Sequence, residues 1–337
     1  MNRKKILKAF GVLVAIVFAL FTSGIIYFNN IFFAERSKNL SIFTDYQPIK
    51  FGLSSFKTPQ GFTIEKAAMV IPAEIEKIPN KLYFQFDTGA PNTIIYENSF
   101  NSLKRIGLNV DVLDIDGRTF INELTIKLGG SEMTIKMIEV VQYSAGEFFT
   151  EKDSINYNRI GSIGTDFISD HLIEIDFKNF KIQFYEERED WMLDGRKFES
   201  FDFSGRKLML PCKIDNKKQI MYYDSGCSSY GLLTTKGLYE KYSKANSKEV
   251  KYEISSWGRA SWWSEPIQIH ENLTDKSMLI SGQNIAINKV GYVGNFEDLQ
   301  GMIKPFTKID GWLGNIPFFD CSLVFDAPNE EFLIVKR

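Results

Sequence analysis

Histidine and cysteine are the scarcest reactive side chains in this chain. Among 337 residues there are two histidines, His171 and His270, and three cysteines, Cys212, Cys227 and Cys321. Neither histidine lies beside a nucleophile signature, so Ser-His-Asp or Cys-His catalysis lacks its base. No Cys-x-x-Cys pair occurs, and two histidines are too few for a histidine-rich metal site. A bridge between Cys212 and Cys227 stays open, since it depends on geometry. Charge of one sign is also lacking: 40 Lys and Arg stand against 42 Asp and Glu, a formal net charge of -2. Without a basic footprint, nucleic acid is not an expected partner. Any chemistry is left to carboxylates, with no metal and no organic cofactor.

Long apolar runs are missing except at the N-terminus. There Arg3, Lys4, Lys5 and Lys8 precede a run of 20 residues, Ala9 to Phe28, interrupted by Thr22, Ser23 and two glycines. At helical rise that length just crosses a bilayer core. The basic residues before it place the N-terminus in the cytoplasm and the rest of the chain outside. The expectation is an uncleaved single-pass anchor over residues 1–28 and a tether over 29–45. A cleaved signal peptide is the alternative, against which stand the length of the run and the poor cleavage site at Thr22 to Gly24.

The remainder contains one unit twice, at a period a little under 140 residues. The first copy reads AAMVIPAEIEKIPNKLYFQFDTGAPNTIIY from Ala67 to Tyr96, and the second KLMLPCKIDNKKQIMYYDSGCSSYGLL from Lys207 to Leu233. Each has an apolar strand ending in a proline (Pro72, Pro211), a polar turn, a second strand, and Asp-Thr/Ser-Gly. A short helix follows each, over Glu97 to Gly107 and Thr234 to Ala245. Then come glycine turns at Gly117-Arg118 and Gly258-Arg259, and Gly-x-x-Gly steps at Gly161–Gly164 and Gly311–Gly314. Both copies close on a hairpin pattern, LIEIDFKNFKIQFY and SLVFDAPNEEFLIV, in which Asp176 and Asp326 are expected to serve the turns. The charged stretch from Glu186 to Asp190, continuing to about Gly205, separates the copies. Strand signals at short spacing with few helices indicate a mostly-β protein.

One Asp-Thr/Ser-Gly arises by chance in roughly one chain in ten of this size; two inside a matched repeat are the signal. FDTGA at Phe86–Ala90 and YDSGC at Tyr223–Cys227 resemble the paired active-site motifs of pepsin-like and retropepsin-like aspartic proteases, here of a bilobed, bacterial membrane-anchored type. DGWLGN at Asp310–Asn315 resembles the segment that passes behind the active-site loop in that family. The resemblance covers roughly residues 50–337. It implies two similar β-barrel-like lobes, 46–195 and 196–337, with a cleft between them, and a monomer, because one chain supplies both halves. It implies Asp87 and Asp224 as catalytic, sharing one proton because adjacent carboxylates cannot both ionise. Thr88, Gly89, Ser225 and Gly226 would support the active-site loops. Gly117, Arg118 and Gly258 are candidate flap positions, with an ordinary hairpin turn as the alternative.

Three features depart from the family pattern: Cys227 after the second motif, Ser162 where a larger apolar residue is usual, and no flap tyrosine near Gly117. Trp257, Trp262 and Trp263 either line a groove or pack. His171 is expected at the surface. The functional expectation is an aspartic endopeptidase acting on an extended peptide or protein segment outside the cytoplasm. The rival expectation is a non-hydrolytic peptide-binding or sensory ectodomain on the same fold.

Overall fold

The structure is a computed structural model and describes residues 23, 41–43, 46–58, 60–142, 146–154, 157–254, 267–294 and 309–336. All of the expected anchor but Ser23, and all of the expected tether but 41–43, lie outside the described residues. Among the described residues no helix is long and apolar enough to cross a membrane. The described residues are mostly β, arranged in three sheets.

The two copies of the repeat each build a nine-stranded sheet with the same inner order. In the first, strand Thr63–Glu74 pairs antiparallel with Lys81–Phe86, which pairs parallel with Tyr157–Ile163. That strand pairs antiparallel with Ile94–Tyr96, which runs parallel to Ser131–Val141. In the second, Met209–Ile214, Lys217–Tyr223, Gly311–Leu313, Leu232–Thr234 and Lys289–Val293 repeat the order and the directions. Alternation drives these strands: in Lys81–Phe86, Leu82, Phe84 and Phe86 are buried while Lys81, Tyr83 and Gln85 reach solvent to varying degrees. The first sheet also closes on itself, because Arg118–Leu128 pairs with both Thr63–Glu74 and Ser131–Val141.

A six-stranded middle sheet joins the copies. The closing hairpins, Leu172–Asp176 with Lys181–Tyr185 and Cys321–Asp326 with Glu331–Lys336, meet along Leu172–Asp176 and Cys321–Asp326, antiparallel. Ile49–Lys50 and Glu199–Ser200 add the two outer strands, so the stretch that separates the copies in sequence still contributes to the sheet. The two central strands are buried at every position, as strands covered on both faces must be. Glu174, in the first of them, is satisfied by the Tyr185 hydroxyl at 2.8 Å. Asp176 and Asp326 hold their turns as expected, accepting from Asn179 and Asn329. Apolar side chains form one continuous core from Phe84 and Ile163 through Phe177 and Phe332 to Tyr223 and Leu313.

Two local expectations change. The apolar strands run on past Pro72 and Pro211 instead of ending there. Pro72 sits where one neighbour has ended, opposite Val70, and the next begins, opposite Ala73; Pro211 precedes the pairing of Lys213 with Leu279. A missing N–H costs a strand little where no partner faces it. His171 is half-buried, with its ring edge-on to Tyr46 and Phe184, and not a surface residue.

One element leaves its own sheet. The hairpin Gly52–Lys57 with Thr63–Glu74 loses register between Ser54 and Phe56, and Lys66 adopts a left-handed φ of 54° at that bulge. Bulges bend the strand and re-aim its end. Beyond it, Phe62 stacks on Tyr252 at 5.5 Å, Gln60 donates to Glu253, and Ile64 is buried with Cys227, Tyr230 and Tyr252 of the second copy.

Candidate active site

Each aspartate stands at the end of a strand whose parallel neighbour is the Gly-x-x-Gly segment. Phe86 pairs with Ile163 and Tyr223 with Leu313, and the Asp87 and Asp224 amides donate to the Ile163 and Leu313 carbonyls, both at 2.9 Å. The chain then loops around and returns on the far side of the same segment, as Ile94–Tyr96 or Leu232–Thr234. This path is tight. A Cβ at Gly164 would fall 2.6 Å from the Ala90 carbonyl oxygen, and one at Gly314 would fall 2.1 Å from that of Cys227. Only glycine lets the loop lie on the segment behind it.

The loops lock across the junction of the two copies. The Thr88 amide donates to the Ser225 hydroxyl at 2.9 Å, and the Ser225 amide to the Thr88 hydroxyl at 2.8 Å. Each hydroxyl then donates onward, Thr88 to the Tyr223 carbonyl at 3.0 Å and Ser225 to the Phe86 carbonyl at 2.8 Å. Both side chains are fully buried, and each hydroxyl both donates and accepts. These residues sit 137 positions apart in sequence and form one closed ring of hydrogen bonds.

The ring brings the carboxyl groups of Asp87 and Asp224 into hydrogen-bonding contact. Each glycine lies against the opposite carboxylate: a Cβ at Gly89 would fall 2.6 Å from Asp224 Oδ1, and one at Gly226 2.4 Å from Asp87 Oδ1. The same glycines donate their amides to their own aspartates, at 2.9 Å and 2.8 Å. Burial and then the Asp224 charge push the Asp87 carboxyl up to about 8, and burial pushes Asp224 upward too. Both shifts favour one proton shared by the two carboxyls, which titrate as a unit.

Other participants were not expected as site residues. Tyr222 donates to the carbonyls of Thr88 and Gly89, at 3.2 and 3.0 Å. Tyr223 donates to Asn315, which in turn donates to Ser228. Buried Asp166 takes the Thr93 amide and hydroxyl and is pushed up to about 6, chiefly by burial. Arg206 ties the first loop to the connecting segment through the Pro91 carbonyl and Asn92. Tyr223 and Asn315 lie within the YDSGC and DGWLGN segments, whereas Tyr222, Asp166, Ser228 and Arg206 were marked in sequence by no more than proximity to the motifs.

The departures from pattern find partners. Ser162 shares a 2.7 Å hydrogen bond with the Tyr96 hydroxyl, which satisfies a polar group in an apolar position. Cys227 is buried and unbridged, as are Cys212 and Cys321, and its Sγ donates to Asp224 Oδ2 at 3.4 Å. Gly117 and Asp116 both take positive φ in a two-residue turn between Val112–Ile115 and Arg118–Leu128, a tight hairpin of the kind Asp-Gly favours. Arg118 pairs with Glu139 on the adjacent strand and covers Phe120. The hairpin thus exists, but Arg118 is engaged in its own sheet. Gly258, Arg259, Trp257, Trp262 and Trp263 lie outside the described residues, between the paired ends Ile254 and Ile267. No cluster of three or more His, Cys, Asp or Glu suited to a metal occurs among the described residues. No protein-family model matches the chain, and no curated protein matches it.

Proposed function

We propose that the chain is an aspartic endopeptidase of the pepsin-like and retropepsin-like family, hydrolysing peptide bonds with water activated between Asp87 and Asp224. The observation that carries the reading is the contact of these two carboxyls, on loops locked together by Thr88 and Ser225. A proton-sharing pair has the acid and the base that the reaction needs in one place. One carboxylate takes a proton from water as its oxygen attacks the scissile carbonyl carbon. The other gives its proton to the carbonyl oxygen, forming a neutral tetrahedral diol. A proton then passes to the amide nitrogen, the C–N bond breaks, and a carboxyl and an amine leave. The atoms balance without a covalent enzyme intermediate.

In this reading residues 46–195 and 196–337 are the two lobes, and an extended peptide lies across the dyad between them. The Asp116–Gly117 hairpin would be the flap over it. The chain would work as a monomer, anchored by Ala9 to Phe28 with the protease part outside the cytoplasm. The test is hydrolysis of a peptide library by the purified protein from acidic to neutral pH. Asp87→Asn and Asp224→Asn should each abolish cleavage while the fold persists. A peptide carrying a hydroxymethylene in place of the scissile carbonyl should bind and raise the Tm of the parent protein. Full activity in Asp224→Asn would overturn the proposal. Tight peptide binding without turnover by the parent would favour a binding or sensory ectodomain.

A further inference from the structure

The backbone treats the two aspartates alike. The Asp87 carboxylate accepts the Gly89 amide and the Asp224 carboxylate that of Gly226, while the amides of Ala90 and Cys227 donate to the backbone carbonyls of Asp87 and Asp224, each at 3.0 Å. The side chains break the symmetry. Ala90 has no donor, whereas Cys227 points its thiol at the second oxygen of Asp224, Sγ to Oδ2 3.4 Å, while Gly226 occupies Oδ1. The thiol has little freedom to point elsewhere. It is 5% exposed and enclosed by Ile64, Tyr230, Leu233 and Tyr252, with Ile64 delivered by the hairpin that crosses from the first copy.

We propose that Cys227 is a positioning residue that fixes the polarity of the dyad, holding the negative charge on Asp224 and leaving the shared proton on Asp87. The inference rests on the protease reading and deepens it: Asp224 becomes the member that takes the proton from water, and Asp87 the member that protonates the carbonyl oxygen. A donor hydrogen bond favours the charged form of a carboxylate, and a thiol is a weak but real donor.

The other ionisable groups around the pair leave the assignment intact. Tyr222 and Tyr223 face the pair, Tyr230 and Tyr252 pack around Cys227, and all four are raised above the ordinary tyrosine value by burial, so they stay neutral throughout the carboxylate range. Glu271, on the neighbouring strand, is paired with Lys289 at 2.7 Å. From the crossing hairpin come Glu65, bonded to Ser55, and Lys66, over the Phe319 ring. All of these are unchanged by substitution at position 227 and cancel in a comparison of variants.

The test compares the full chain, in detergent, with Cys227→Ala and Cys227→Ser. The first readout is unfolding stability against pH. Loss of the thiol lets the native state keep its proton to higher pH, so Cys227→Ala should lose stability more steeply than the parent as pH rises above about 4. Cys227→Ser should restore the parental slope, because a hydroxyl donates to the same oxygen. A constant offset in Cys227→Ala is the cost of the void and does not count. The second readout is the acidic limb of kcat/KM. It should move up by about one pH unit in Cys227→Ala, a tenfold loss below the limb and none on the plateau, and return in Cys227→Ser. Parallel slopes in all three proteins would overturn the assignment. If the parent cleaves no peptide, the protease reading fails, and the stability slopes still decide whether Cys227 polarises the pair.

Discussion

A buried carboxyl whose folded value lies far above its ordinary one leaves a mark on stability. Asp87 moves from 3.8 to about 8, so the native state binds a proton that the unfolded chain releases. The resulting contribution is whole below the unfolded value and is lost as pH rises through about 8. Asp87→Asn removes the titration and keeps a donor facing Asp224. Relative to this variant, the parent should become progressively less stable between pH about 4 and about 8, and urea midpoints across that range would show it. Curves that stay parallel would mean that neither burial nor Asp224 raises the Asp87 carboxyl in the folded protein. Residue identity also explains what sequence could and could not reveal here. Asp87 and Asp224 announced themselves through their glycines, which must be small to lie against the opposite carboxylate. Tyr222 did not, because a tyrosine at the end of an apolar strand looks like packing until its hydroxyl is seen on the Thr88 and Gly89 carbonyls.

At the scale of elements, the repeat was legible because each strand–loop–strand unit needs the same glycines wherever it is built. The prediction is sharp. In Gly164→Ala the new methyl meets backbone atoms of the Asp87 loop at 2.6 Å, and backbone cannot swing away as a side chain can. Overpacking there should cost about 3 kcal/mol, and the displaced loop should lower kcat about 100-fold. Gly237→Ala is the control. It sits exposed in the helix Lys236–Tyr242 with open space around it, and should gain up to about 1 kcal/mol from helix propensity. Chemical denaturation of both variants separates close approach from generic glycine effects. The crossing hairpin was not legible. TIEKAAMV reads as one unbroken strand, and the bulge at Lys66 depends on a left-handed residue that sequence does not favour. Its contacts, Phe62 on Tyr252 and Gln60 on Glu253, join residues about 190 positions apart with no shared motif.

At the scale of the whole molecule, the two copies are joined through the middle sheet, and the cost of separating them can be read from one strand. Leu172–Asp176 is buried at all five positions, and its partner on one side is Cys321–Asp326 from the other copy. Residues 46–195 expressed alone would therefore present an apolar strand with an unpaired edge, together with the surfaces of Thr88 and Phe86 that Ser225 normally satisfies. An edge of that kind seeks another edge. The antiparallel pairing of Leu172–Asp176 with Cys321–Asp326 relates two equivalent hairpins, so a second copy of the same fragment can take the missing place with the same geometry. Sedimentation of the isolated 46–195 fragment should show a dimer, and the full chain should not need one. Ile175→Lys in the fragment puts a charge in the middle of that edge, opposite the position of Leu323, and should shift it to monomer or to an unfolded chain. A fragment that stays monomeric and folded without the substitution would mean that pairing with Cys321–Asp326 is dispensable for the fold of the first copy.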